Sequence, residues 1–177
     1  MIQATQEHDP RFPIGKFDAA AYASREENIK TIADLPANIR AAVDGLTDEQ
    51  LDTPYRPEGW TLRQTVHHIA DSHINSLCRF KLALTEDEAP TIRPYYEDRW
   101  AELADSKLPV DVSLAIIDGV HARWAKLLQN MTDADFESEF IHPETGNWKL
   151  EKVLGLYAWH SLHHTAHITG TRERNGW

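Results

Sequence analysis

The sequence predicts an all-α protein, a four-helix bundle with short additional helices and long connecting loops. Three observations predict it. Four long segments repeat apolar residues at helical spacing, and no convincing set of strands accompanies them. The third is composition: 177 residues, 41% hydrophobic and 26% charged, suit one globular domain spanning 1–177. A chain of that length buries about 70% of its unfolded surface and needs neither disulfides nor a metal merely to fold.

Residues 1–18 are polar and broken by Pro10, Pro13 and Gly15, which reads as an irregular N-terminal arm over the surface. From about Ala19 to Leu46 the residues Ile29, Ile32, Leu35, Ile39, Val43 and Leu46 keep helical spacing, with Pro36 expected to kink or split the helix. Thr47-x-x-Gln50 offers a capping box for a short helix. Asp52 to Gly59 is a loop by its prolines and glycine. Thr61-x-x-Gln64 opens a second long helix that runs to about Leu84. Residues 85–109 carry Pro90, Pro94 and Pro109 around a short helix near Asp98–Asp105. A third long helix fits Asp111–Asn130, with Leu114, Ile117, Val120, Trp124, Leu127 and Leu128 on one side. Thr132–Phe136 suits one helical turn, and Glu144-Thr145-Gly146-Asn147 a turn between two short extended pieces. The last helix runs from about Leu150 to Arg174, ends before Gly176, and carries Arg172 and Arg174 where a C-terminus favours cations.

The balance of 18 basic against 28 acidic residues gives a net charge of −10, which argues against nucleic-acid binding because phosphate contacts need a basic face. A single cysteine forms no internal disulfide, the N-terminus has no signal-like apolar region, and no run is long enough to cross a membrane. The expectation is a cytoplasmic protein. Cys78, in the middle of a helix, reads as buried and inert.

Seven of the ten histidines fall in Val66–His73 and His160–His167. Histidines four apart share a helix face and can offer two imidazoles to one metal ion. His160 and His164 do so on the azimuth of Val153 and Tyr157, the inner side, whereas His163 and His167 rotate outward toward Leu156 and Trp159. For a third ligand, His73 lies on the apolar stripe with Ile69 and Leu77 and reads as a core histidine. His68 lies on a polar stripe of Gln64, Asp71, Ser72, Asn75 and Arg79 that suits a cleft inside a bundle, with adjacent His67 as runner-up. The plain alternative is ordinary packing, since such pairs also arise by chance in a histidine-rich helix. No His-Glu-x-x-His is present.

Several stretches resemble a known family: Leu51-Asp52-Thr53-Pro54-Tyr55-Arg56, Gly59-Trp60-Thr61-Leu62-Arg63-Gln64 running into His67–His73, Arg79–Glu86, and Tyr157-Ala158-Trp159-His160 through His164 to Ile168. The chain resembles the YfiT group of inferred metal-dependent hydrolases within the DinB-like superfamily. That resemblance implies a bundle holding one divalent metal ion per subunit through His68, His160 and His164. It also implies a cytoplasmic homodimer. Where many DinB-like members have Arg-Gly-Gln after the second C-terminal histidine, this chain has Thr165-Ala166-His167, so His167 is a donor behind a ligand, a substrate contact or a surface residue.

Three imidazoles leave a divalent ion its full charge and an exchangeable position, so it can acidify bound water for attack on an ester, amide or similar bond of a small-molecule substrate. The rival is thiol S-transfer with a low-molecular-weight thiol bound at the open position. A third reading, a metal-dependent binding or structural protein, calls for a fourth protein ligand such as His67 or His163. Zinc is the favoured ion and nickel the next. Candidate catalytic groups are Asp71 and Tyr157, as a base or a group orienting water or an imidazole, and Arg79 for an anionic substrate group. Each has a structural alternative: a paired or surface carboxylate, a bonded core hydroxyl and a salt bridge. Trp60 and Trp159 flank the histidines as walls of the cleft.

Overall fold

The computed structural model describes residues 9–177, so the expected arm is seen from Asp9 onward and its first eight residues lie outside the description. Four long helices build the bundle: α1 (Arg25–Val43), α3 (Leu62–Thr85), α5 (Val110–Leu128) and α7 (Leu150–Asn175). Between them lie the short helices α2 (Asp48–Leu51), α4 (Glu97–Trp100) and α6 (Asp133–Glu137), and a 3-10 turn at Ala104–Lys107. A hairpin of β1 (Glu139–His142) and β2 (Gly146–Lys149) pairs antiparallel from Glu139 opposite Lys149 to His142 opposite Gly146. Helices α1 and α3 each pack on both α5 and α7, so α1 and α3 occupy one diagonal of the bundle and α5 and α7 the other.

The helix starts follow from their caps. Thr47, Thr61 and Thr132 each accept from the backbone N–H three residues on, and Gln50, Gln64 and Asp135 return the bond to the cap. Helix α1 begins at Arg25 rather than Ala19, because Ser24 caps it through the Glu27 N–H. Pro36 does not split α1. Lacking an N–H, Pro36 leaves the carbonyl of Ile32 without its usual helical donor. That carbonyl is buried and accepts instead from His121 Nδ1 at 2.5 Å.

The core has two apolar groups. One surrounds Leu62, Val66, Ile69, Leu114 and Ile117, and the other surrounds Ile32, Phe80, Trp124, Leu150 and Leu154. The segment after α3 is tied to the hairpin where the Ile92 N–H donates to Ile141 O and the Ile141 N–H donates to Pro90 O, both at 2.9 Å. Just beyond that tie, Pro94 and Tyr95 line the same cavity as His68 and His160. On the other side the arm crosses α7 at Gly155, where a Cβ would stand 3.1 Å from the Tyr22 carbonyl oxygen, so glycine permits the approach. No helix among the described residues is long and apolar enough to cross a membrane.

Candidate metal centre

Helix α3 presents His68 toward α7, which presents His160 and, one turn later, His164. One ring nitrogen from each lies within 4.8 Å of the others. His68 Nε2 and His160 Nε2 are 3.2 Å apart, and the His164 ring lies 4.4 Å from that of His160 and 4.8 Å from that of His68, between centroids. A tetrahedral ion with bonds of about 2.0–2.1 Å holds its nitrogen donors about 3.3 Å apart, so the closest pair already has the spacing an ion needs. Burial pushes His68 down to about 4 and holds His160 and His164 well below the ordinary imidazole range. At neutral pH all three are uncharged and each keeps one lone pair, the form that binds a metal.

The adjacent His67 points elsewhere. Its Nε2 donates to Leu108 O at 3.1 Å, so its Nδ1 accepts from Ser113 Oγ at 2.7 Å, which fastens α3 to the start of α5. His73 is fully buried, as the apolar stripe predicts, with both nitrogens engaged: Nδ1 is 2.9 Å from His121 Nε2 and Nε2 is 3.0 Å from His160 Nδ1.

The expected outward turn of His163 and His167 is corrected: both are buried. Trp159 stacks on His163 with centroids 4.4 Å apart and Phe12 of the arm lies 6.0 Å away, while Tyr55 stacks on His167 at 4.0 Å. The Trp159 indole N–H donates to the Gly15 carbonyl, so arm and α7 close together. His163, His164 and His167 form a second close set of nitrogens, but it shares His164 with the first. Within it, His164 Nδ1 and His167 Nδ1 are 3.4 Å apart.

The first histidine set opens on a cavity of about 510 Å³ whose lining includes Trp60, Ser72, Arg79, Tyr95, Tyr157 and Trp159. Trp60 lies 4.5 Å from the His68 ring, between centroids, as a wall of the cleft. Arg79 lines the cavity and makes no ion pair among the described residues. The Tyr157 hydroxyl donates to Ser72 O and accepts from Ser72 Oγ, both at 3.3 Å, which is the bonded core hydroxyl. Asp71 is not among the cavity-lining residues; burial, aided by the Asp105 charge, pushes its carboxyl up to about 6. Cys78 is exposed rather than buried: it shares the exposed face of α3 with Ile74 and Leu82, four residues to either side.

Sequence reasoning missed Tyr95, His121 and Tyr55. Tyr95 reaches the cavity through the strand-like tie described above, a contact with no local signal, and burial raises its hydroxyl pKa. His121 did carry a signal: it follows Ile117 by four and precedes Trp124 by three on the apolar stripe of α5.

The model of the DinB superfamily matches residues 31–168. A protein of Bacillus mycoides named as an inferred metal-dependent hydrolase is 55% identical over 172 residues, 96% of this chain and 99% of its own length. A Bacillus cereus protein with the same kind of name is 54% identical over 173 residues, again 96% of this chain and 99% of its own. Among solved structures, YfiT from Bacillus subtilis, described as an inferred metal-dependent hydrolase with an unusual four-helix bundle topology, superposes with a TM-score of 0.90 at 49% identity, covering 95% of this chain and 98% of YfiT. A mycothiol-dependent maleylpyruvate isomerase shares the fold alone, with a TM-score of 0.67 at 15% identity over 86% of this chain and 63% of its own.

Proposed function

The chain belongs to the DinB superfamily, and on that premise we propose that it is a hydrolase holding one divalent ion on His68, His160 and His164. The observation that carries this reading is the set of three imidazoles, drawn from two helices with ring nitrogens within 4.8 Å of one another, at the wall of a cavity large enough for a small molecule. An ion held by three such donors keeps its charge and an open position, and supplies the Lewis acidity that activates water against an acyl bond.

The chain's own groups set the rest of the chemistry. Trp60 and Trp159 wall the cleft and limit water around the histidines. Arg79, which makes no ion pair among the described residues, is placed to bind an anionic group of the substrate. Tyr157 holds α3 to α7 through Ser72 and keeps His68 and His160 at their spacing. Asp71, outside the cavity lining, is not assigned the base. Zinc is the ion proposed, with nickel second, and the proposal carries with it a cytoplasmic homodimer.

The test combines metal analysis with turnover. Protein purified without a nickel column should carry about one ion per subunit, and His160→Ala and His164→Ala should lose it while His163→Ala keeps it. Metal-replete protein should then hydrolyse members of a panel of aryl esters and amides, with Arg79→Ala raising KM for acidic acyl groups only. Metal that survives the ligand substitutions would sink the assignment. Turnover that requires an added low-molecular-weight thiol would replace hydrolysis by thiol transfer at the same site.

A further inference from the structure

Two histidines not needed to hold an ion, His121 and His73, form a line that ends on one that is. Ile32 on α1, His121 on α5, His73 on α3 and His160 on α7 are joined in sequence by contacts of 2.5, 2.9 and 3.0 Å, one residue from each long helix. Its far end is a backbone carbonyl, which only accepts. Pro36 has released that carbonyl from the α1 ladder, so it is free to be the anchor.

From that anchor the protons are assigned one after another. His121 is uncharged, because burial holds it down at about 4, and a neutral imidazole carries one N–H. Since Nδ1 donates to Ile32 O, His121 Nε2 must be bare, and it accepts from His73 Nδ1. His73 is fully buried, its Nδ1 proton is committed to His121 and both its nitrogens meet only imidazoles, with no carboxylate to hold a second proton, so its Nε2 is bare and accepts from His160 Nδ1. His160 is then left with a bare Nε2, the atom that stands 3.2 Å from His68 Nε2 at the candidate centre.

We propose that His73 and His121 are positioning residues: anchored on the carbonyl that Pro36 frees, they hold His160 in its Nδ1–H tautomer with Nε2 open toward His68 and the cavity. An unrestrained histidine side chain favours the opposite tautomer, so this arrangement removes a step that metal binding would otherwise require. A hydrogen bond behind a ligand also fixes the plane of its ring. The inference builds on the reading of His160 as a ligand, yet the tautomer exists in the metal-free chain and is measured there.

The measurement is long-range proton–nitrogen correlation of the imidazoles in uniformly labelled, metal-stripped protein at pH 7.5. The expected spectrum has His121, His73 and His160 all protonated at Nδ1 and bare at Nε2. His121→Phe keeps a buried ring but ends the line; His160 should then show its Nε2–H form, and zinc affinity should fall about tenfold or more. In His121→Gln the amide oxygen can accept from His73 while its N–H serves Ile32, and most of that loss should be recovered. If His121→Phe fails to fold, the wild-type spectrum still decides. His160 protonated at Nε2 in the wild type overturns the proposal, as does a folded His121→Phe with unchanged tautomer and affinity. The expected tautomers in a wild type that binds no metal would uphold the line and sink the metal reading alone.

Discussion

His67 and His68 are consecutive, yet their rings serve opposite partners: His67 is pinned to Ser113 and Leu108 beside α5, while His68 Nε2 faces His160 Nε2 on α7. The roughly 100° turn between neighbours on a helix is enough to send one into the packing and the other into the cavity. Substitution should separate the two roles. His68→Ala is expected to abolish metal binding with little loss of stability, whereas His67→Ala should keep the metal and cost about 1–3 kcal/mol by leaving Ser113 and the Leu108 carbonyl unsatisfied. Elemental analysis and urea denaturation of the same two samples check both halves, and loss of metal in His67→Ala would reverse the assignment.

Acid should unfold the metal-stripped protein early. Burial holds His68, His121 and His163 at about 4 and His167 at about 3, and lowers His67, His73, His160 and His164 as well. Below about pH 6.5, where an unfolded histidine begins to bind its proton, the unfolded chain takes up protons that the folded chain refuses. Stability is therefore full above that pH and declines as pH falls toward 4. Asp71, raised to about 6, binds its proton more readily when folded and opposes the trend, but it is one group against many. Urea midpoints should be clearly lower at pH 5.0 than at pH 7.5. A flat or inverted profile would mean that these histidines are not buried uncharged.

Tyr157 gives a sharper choice between structure and catalysis. Its hydroxyl donates to and accepts from Ser72, so Tyr157→Phe should cost about 1 kcal/mol, keep the metal and leave kcat within about threefold. A loss of a hundredfold or more in kcat, with metal content unchanged, would instead make the hydroxyl a proton donor in the reaction.

The helix that carries His68 depends on its first turn. Thr61 accepts from the Gln64 N–H at 3.1 Å and Gln64 Oε1 accepts from the Thr61 N–H at 2.9 Å. Thr61→Ala should cost about 1 kcal/mol and lower the Tm by about 2–4 °C, without moving the metal stoichiometry. Thermal melts with and without zinc read both, and the stabilisation by zinc should be unchanged.

Much of this was legible in the sequence because it is local. The Thr-x-x-Gln boxes announce where α2 and α3 begin, and Gly146 announces the hairpin turn where φ is +78°. The i, i+4 spacing of His160 and His164 puts two imidazoles on one face before any packing is known, and the polar stripe on α3 singles out His68. The start of α1 was misplaced because Ala19 to Ser24 follow the apolar rhythm loosely while the cap that ends the arm is Ser24. Of the two outcomes expected at Pro36, the split is absent: α1 runs through it, and a donor from another helix satisfies the carbonyl it frees.

The sequence by itself determined the helices, their caps, and the azimuth of each histidine on its own helix. Those depend on backbone geometry within a few residues. Only the tertiary structure decided which azimuths meet: that His67 finds Ser113, that the arm and Tyr55 cover His163 and His167, and that Cys78 is left facing solvent. It also decided that Ile32, His121, His73 and His160 line up across all four long helices. Helical periodicity gives a direction but not the neighbour in that direction. The neighbour is set by which helices share a diagonal and by where the long connections fold back.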